Sequence, residues 1–195
     1  MASKRTGTTA AELVQKLSSD SAFVRRQQIR EEARQEKATR LLKAGGPLVS
    51  ALEAVGINMI SIWDLVNSTV DYSKAVFIMR DHLLMDYPDE VLEGIARALA
   101  IPAAEVVRSD LIRMLKSCSH SDSQVAYSLA LAVSATTHEK NLVETLELAK
   151  DRALGTSRLG LLLALKRFRK SAAVKQELTQ LLTDPDLSHE IRSWK

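Results

Sequence analysis

The stretch PDEVLEGIARAL, Pro88 to Leu99, decides the fold. Its apolar residues Val91, Ile95, Ala96 and Leu99 recur at helical spacing, and Pro88 and Asp89 suit a helix start. The pattern returns 34 residues later as DSQVAYSLALAV, Asp122 to Val133, and again as TSRLGLLLAL, Thr156 to Leu165. Positions 91, 125 and 159 coincide, as do 95, 129 and 163, and Ala96, Ala130 and Ala164. Gly94 and Ser128 also fall together, whereas Leu162 breaks that match. Each segment follows another expected helix: Ser73–Met85, Ala103–Lys116 and Glu139–Leu154, whose Ile78, Ile112 and Leu146 also lie 34 apart. A helix pair repeated at fixed period cannot bury its apolar face alone, so neighbours stack and share a core.

Composition agrees with this reading. Gly and Pro together make 11 of 195 residues and aromatics only 4%, while hydrophobic residues reach 46%. Average usage of Gly and Pro is about 12%. So few turn-formers exclude a sandwich or barrel of many short strands, and the apolar content excludes a disordered chain. The fold class is all-α. The single cysteine, Cys118, leaves no disulfide framework, and a reducing, cytoplasmic compartment is the expectation. The basic N-terminal residues Lys4 and Arg5 precede no apolar run of signal-peptide type. The longest uncharged run, Ser123 to His138, is too short and polar to span a bilayer, so no membrane partner is expected.

Outward from the repeats, Asp184-Pro185-Asp186 opens a last short helix that completes a truncated fourth pair with Ala172–Leu182. The repeat boundaries are 73–100, 102–134, 138–169 and 171–195. Residues 1–70 form a helical N-terminal region. Thr9 to Glu12 reads as a capping box, Asp20 as the next cap, and 22–43 as a long solvated helix with pairs such as Glu36–Arg40. Gly45-Gly46-Pro47 is expected to end that helix, and Ile57 to Val66 to form another. Charge is uneven: 1–45 is net +5, 46–110 net −6 and 111–195 net +4.

The run Tyr87 to Val91, followed by Gly94 to Leu99, resembles the second helix of a HEAT repeat. The resemblance covers Ser73 to Lys195, strongest at 88–99. The period of 34 is shorter than is usual for that family and equals that of tetratricopeptide repeats, whose Trp, Leu-Gly and Tyr positions are absent. The region from Trp63 to Asn67, with Tyr72, His82 and Leu83, is also similar to small bacterial HEAT-containing proteins of unassigned function. The resemblance implies an armadillo-like, right-handed α–α superhelix whose second helices line a concave face.

If 91, 95, 96 and 99 are buried, then 90, 93, 97 and 101 share another stripe. The candidate partner-binding residues are therefore Glu90, Glu93 and Arg97; Gln124, Tyr127 and Leu131; and Arg158 and Leu161, with Leu165 beyond them. An exposed Tyr beside Leu and Arg has the composition of a protein–protein hot spot. No GxxxxGK[ST], GxGxxG, GxSxG, HExxH or CxxC occurs, and the histidines at 82, 120, 138 and 189 are scattered. The expectation is a non-enzymatic scaffold without cofactor or metal. Its partner would be a protein, one with a basic surface if the acidic middle is used. An inhibitor or immunity-type protein is a subtype.

Two alternatives stand. A HEAT-like nucleic-acid binder or DNA glycosylase would use Trp63 and Asp64, against which the acidic middle repels phosphates. An oligomeric structural protein would assemble through 22–43, whose apolar stripe is thin. The basic cluster Lys166 to Lys170 either touches phosphates or favours the dipole of its own helix.

Overall fold

The computed structural model describes residues 9–118 and 123–194. It is all-helical, with no strand among the described residues. The chain divides into two compact units, Met1–Lys43 and Ala44–Lys195, and the boundary falls within one helix.

In the first unit α1 spans Ala10–Ser19, beginning just after Thr9. Asp20 caps α2: its Oδ1 accepts from the N–H groups of Ala22 (2.9 Å) and Phe23 (3.1 Å). α2 runs from Ser21 to Glu53, through Gly45, Gly46 and Pro47. The expected break there does not occur. Both glycines keep negative φ, which a helix accommodates at an entropic cost, and Pro47 forfeits one backbone hydrogen bond. From Leu48 the helix has a buried stripe to hold it, with Leu48 and Leu52 enclosed.

Residues 44–70 fall within the second unit. Leu48, Leu52, Ile57, Ile62 and Leu65 are all buried within it. The expected helix 57–66 shortens to α3, Ile62–Val66. Ser61 stops it growing backward: its hydroxyl accepts from Trp63 N, while Asp64 Oδ2 accepts from Ile60 N and Ser61 N, both at 2.9 Å.

After α3 the helices alternate between two rows. The outer row is α4 (Val76–His82), α6 (Arg108–Ser117), α8 (Leu142–Lys150) and α10 (Ala172–Leu181). The first three begin with 3-10 turns, at Ser73–Ala75, Pro102–Val107 and Glu139–Asn141. The inner row is α3, α5 (Asp89–Ala98), α7 (Gln124–Ala135) and α9 (Leu162–Arg167), the last entered through 3-10 turns over Arg152–Gly160. α5 packs on α3 and α7, and α7 on the Arg152–Gly160 turns and α9. α6 backs α7, and α8 backs α9. α11, Ser188–Arg192, closes the described chain. The expected cap Asp122 lies outside the described residues; Ser123 caps α7, its Oγ accepting from Ala126 N at 3.1 Å.

Two buried arginines tie the rows together. Arg108 Nη1 donates to Val133 O (2.6 Å) and Thr136 Oγ1 (2.9 Å), and its Nη2 to Thr145 Oγ1 (2.8 Å), so one guanidinium joins α6, the end of α7 and α8. Arg158, 1% exposed, donates to Gly155 O (2.8 Å), Asp184 Oδ2 (2.7 Å) and Asp186 Oδ2 (2.7 Å). Buried charges persist only when fully paired in this way.

Candidate functional site

The inner row presents one face to solvent, and burial fixes which residues lie on it. Val91, Ile95, Ala96 and Leu99 are buried on α5, and Leu129, Ala130 and Val133 on α7, in the 34-residue register. The third segment departs from that register. Leu163, aligned by sequence with Ile95 and Leu129, is 55% exposed, whereas Leu161 is fully buried. A spacing of 32 restores agreement: Leu161 takes the place of Leu129, Leu162 of Ala130, Ala164 of Ala132 and Leu165 of Val133, all buried. Gly160 then matches Ser128 and Gly94, which accounts for the mismatch at Leu162.

The two missing residues come out of the turn ahead of α9. Gly155 adopts φ 53° there, a left-handed conformation that favours glycine, and re-aims the chain within a shorter connection.

The row Gly94, Ser128, Gly160 sets the spacing of the inner helices. A Cβ on Gly94 would stand 2.5 Å from Ile62 Cγ2 on α3. One on Gly160 would stand 2.9 Å from both Ala130 Cβ and Tyr127 O on α7. Ser128 Oγ is buried and makes no hydrogen bond.

The expected stripe is therefore corrected at its far end. Arg158 and Leu161 do not reach the surface; Thr156, Leu159 and Leu163 stand where they were expected, and Leu165 is buried as well. The other candidates do lie on the inner face. Glu90, Glu93, Arg97, Tyr127 and Leu131 are half-buried and Gln124 is exposed. α3 adds Trp63, which precedes Arg97 by the same 34 residues, so Trp63, Arg97, Leu131 and Leu163 form one line across four helices. Sequence reasoning left Trp63 outside the repeats; the capping signal Ser61-Ile62-Trp63-Asp64 would have placed it.

Along this line Arg97 Nε donates to Glu93 Oε1 (3.0 Å), and its guanidinium carbon sits 6.0 Å from the centroid of the Trp63 ring. The Glu93 charge is thereby neutralised on the face. Beyond α7 the surface sinks into a pocket of about 470 Å³, lined by Gln124, Tyr127, Thr156, Leu159, Leu162, Leu163 and Glu190. Glu190 Oε1 accepts from Trp194 Nε1 at 3.3 Å. The pocket floor is leucine, and its rim holds an amide, a phenol, a hydroxyl and one carboxylate.

Other candidates are spent on structure. Asp64 caps α3. Arg167 of the basic cluster donates to Thr137 O (2.6 Å) and Ser134 O (3.1 Å), closing the C-terminal end of α7. Among the described residues no group of three or more His, Cys, Asp or Glu side chains is placed to hold a metal, and no helix is long and apolar enough to cross a membrane. No family model, curated protein or solved structure matches this chain.

Proposed function

We propose that the chain is a HEAT-like α-solenoid scaffold that holds a protein partner along its inner helices. The observation that carries this reading is the line Trp63, Arg97, Leu131, Leu163, which runs into the leucine-floored pocket beside Tyr127. An exposed Leu such as Leu163 gains about 1.5–3 kcal/mol when a partner buries it. Trp, Tyr and Arg anchors beside it match the composition of interface hot spots. The groups that converge on the pocket suit the holding of a side chain better than acid–base chemistry, so the module is read as non-enzymatic; its single cysteine, Cys118, fits a reducing, cytoplasmic compartment.

The partner has apolar side chains that enter the pocket and basic side chains that meet Glu190 on its rim. A toxin-masking, immunity-type role fits this chemistry as a special case. Co-purification from the native cell tests the reading, with Tyr127→Ala/Leu163→Asp beside the wild type. The partner should be lost from the variant and retained by Val143→Asp, which changes an exposed residue on α8. Retention by both variants contradicts the assignment.

A further inference from the structure

Every residue of α2 from Val24 to Arg40 is exposed, so its helical wheel is a surface map. At about 100° per residue, Arg26, Arg30, Arg34, Lys37 and Arg40 fall within one sector of about 120°. Ala22, Phe23, Ala33 and Leu41 share that sector, and no carboxylate does. Glu31 and Glu32 lie on the rest of the circumference, where they accept from Gln35 Nε2 (3.2 Å) and Gln28 Nε2 (3.1 Å). Glu36 borders the sector one turn before Arg40. At its other edge Arg34 pairs with Glu31 at 2.9 Å. From Arg26 to Arg40 the row is about 21 Å long at 1.5 Å per residue.

We propose that this row binds double-stranded DNA, with α2 lying along the major groove and its cations against the flanking phosphates. Four of the five cations are arginines, whose planar fork matches phosphate oxygens in pairs. The B-form major groove, about 12 Å wide, admits one α-helix. The deep, narrow major groove of duplex RNA does not.

An acidic protein fits the row less well. Protein interfaces centre on desolvated apolar or aromatic anchors, and here the cations cover the middle of the sector, leaving exposed ion pairs worth about 0–1 kcal/mol each. A polyanion gains instead from release of condensed counterions, which needs only a row of cations. A membrane helix needs an apolar face opposite its charges, and Glu31, Glu32, Gln35 and Thr39 occupy that side. Single strands need a series of stacking aromatics, and Phe23 is the only aromatic in α2. The acidic excess of residues 46–110 argues against phosphates on the inner face; this row belongs to Met1–Lys43, which is net +5. The inference stands apart from the reading of the inner helices.

Fluorescence anisotropy of the full chain with a labelled 24-base-pair mixed-sequence duplex, from 50 to 200 mM KCl, tests it. Five phosphate contacts give a log–log salt slope of about −4.5, a loss of about 500-fold across that range. Arg26→Gln/Arg30→Gln/Lys37→Gln, with helix content checked by circular dichroism, should reduce the slope by about 2.7. Arg25→Gln/Lys43→Gln, which removes two cations outside the sector, should change it by less than 1. Absence of binding at 50 mM KCl overturns the proposal, and so does an equal effect of the two variants. Equal or tighter binding to single strands, an RNA duplex or phosphatidylserine vesicles overturns it too.

Discussion

Substituting Gly160 by alanine probes the spacing of the inner helices directly. Its φ is negative, so the backbone accepts alanine, and only contact opposes the change. The new methyl would sit 2.9 Å from Ala130 Cβ, 2.9 Å from Tyr127 O and 3.1 Å from Leu131 N. Two of these atoms are backbone in the middle of α7, so relief requires the Arg152–Gly160 turns to move away from that helix. Overpacking of this kind costs about 1–3 kcal/mol. Alanine returns about 0.4–1 kcal/mol by restricting the unfolded chain. The expected net loss is about 1.3 kcal/mol, a fall in Tm of about 3–5 °C for a chain of this size. Gly45→Ala is the control: nothing lies within 4 Å of its Cβ, and replacing a helical glycine should add about 1 kcal/mol. Urea titrations at constant m read both. If Gly160→Ala is neutral or as stabilising as Gly45→Ala, the close approach of α7 to the Arg152–Gly160 turns is wrong.

The register of the last inner segment predicts opposite outcomes two residues apart: Leu163→Asp should change stability by less than about 0.5 kcal/mol, and Leu161→Asp should cost more than about 4 kcal/mol. Thermal melts of the two variants decide it, since a uniform 34-residue register reverses their order. Arg158→Met should cost about 3–5 kcal/mol, because it leaves the buried Asp184 with only the exposed Arg152, at 3.5 Å, as a cationic partner. Hydrogen bonding from Arg158, followed by the Asp186 N–H, holds the Asp184 carboxyl below its ordinary 3.8. Its contribution is present above pH 3.8 and lost as the pH falls through the lower folded value. Arg158→Met should flatten the decline in urea midpoint between pH 5 and 3, and an unchanged decline would refute this role. His82 is buried beside the Tyr87 hydroxyl at 2.7 Å, and burial lowers its pKa from 6.5 against the opposing pull of Asp81. Stability from the neutral ring is complete above pH 6.5 and drains as the pH falls below it, so His82→Gln should flatten the profile between pH 7 and 5.5.

The segment Pro88 to Leu99 was readable because its polar and apolar residues alternate at helical spacing, leaving one register that buries Val91, Ile95, Ala96 and Leu99. The segment Leu159 to Leu165 was not. Its Leu-Gly-Leu-Leu-Leu-Ala-Leu run places an apolar residue at the core in any register, so amphipathicity cannot detect a slip of two. The slip is set by the turn at Gly155, a backbone property. Only the small-residue match, Gly94 with Ser128 and then Gly160, carried the signal. Arg158 was misplaced for a related reason: a guanidinium is surface-seeking until carboxylates from a distant turn surround it, and Asp184 and Asp186 lie 26 and 28 residues away. Gly45-Gly46-Pro47 misled because its helix-breaking tendency is outweighed by the burial of Leu48, directly after it, and Leu52, a turn further on.

The protein partner proposed for the inner face should lie within crosslinking reach of its side chains. Photo-crosslinking in the native cell tests it most directly, with p-benzoylphenylalanine placed singly at Tyr127, Leu163, Val106 or Val143. Leu163 marks the inner line and Tyr127 the pocket rim, while exposed Val106 and Val143 mark the outer row. One and the same protein adduct should form from Tyr127 and Leu163, and none from Val106 or Val143. Adducts confined to the outer positions, or equal at all four, would contradict it.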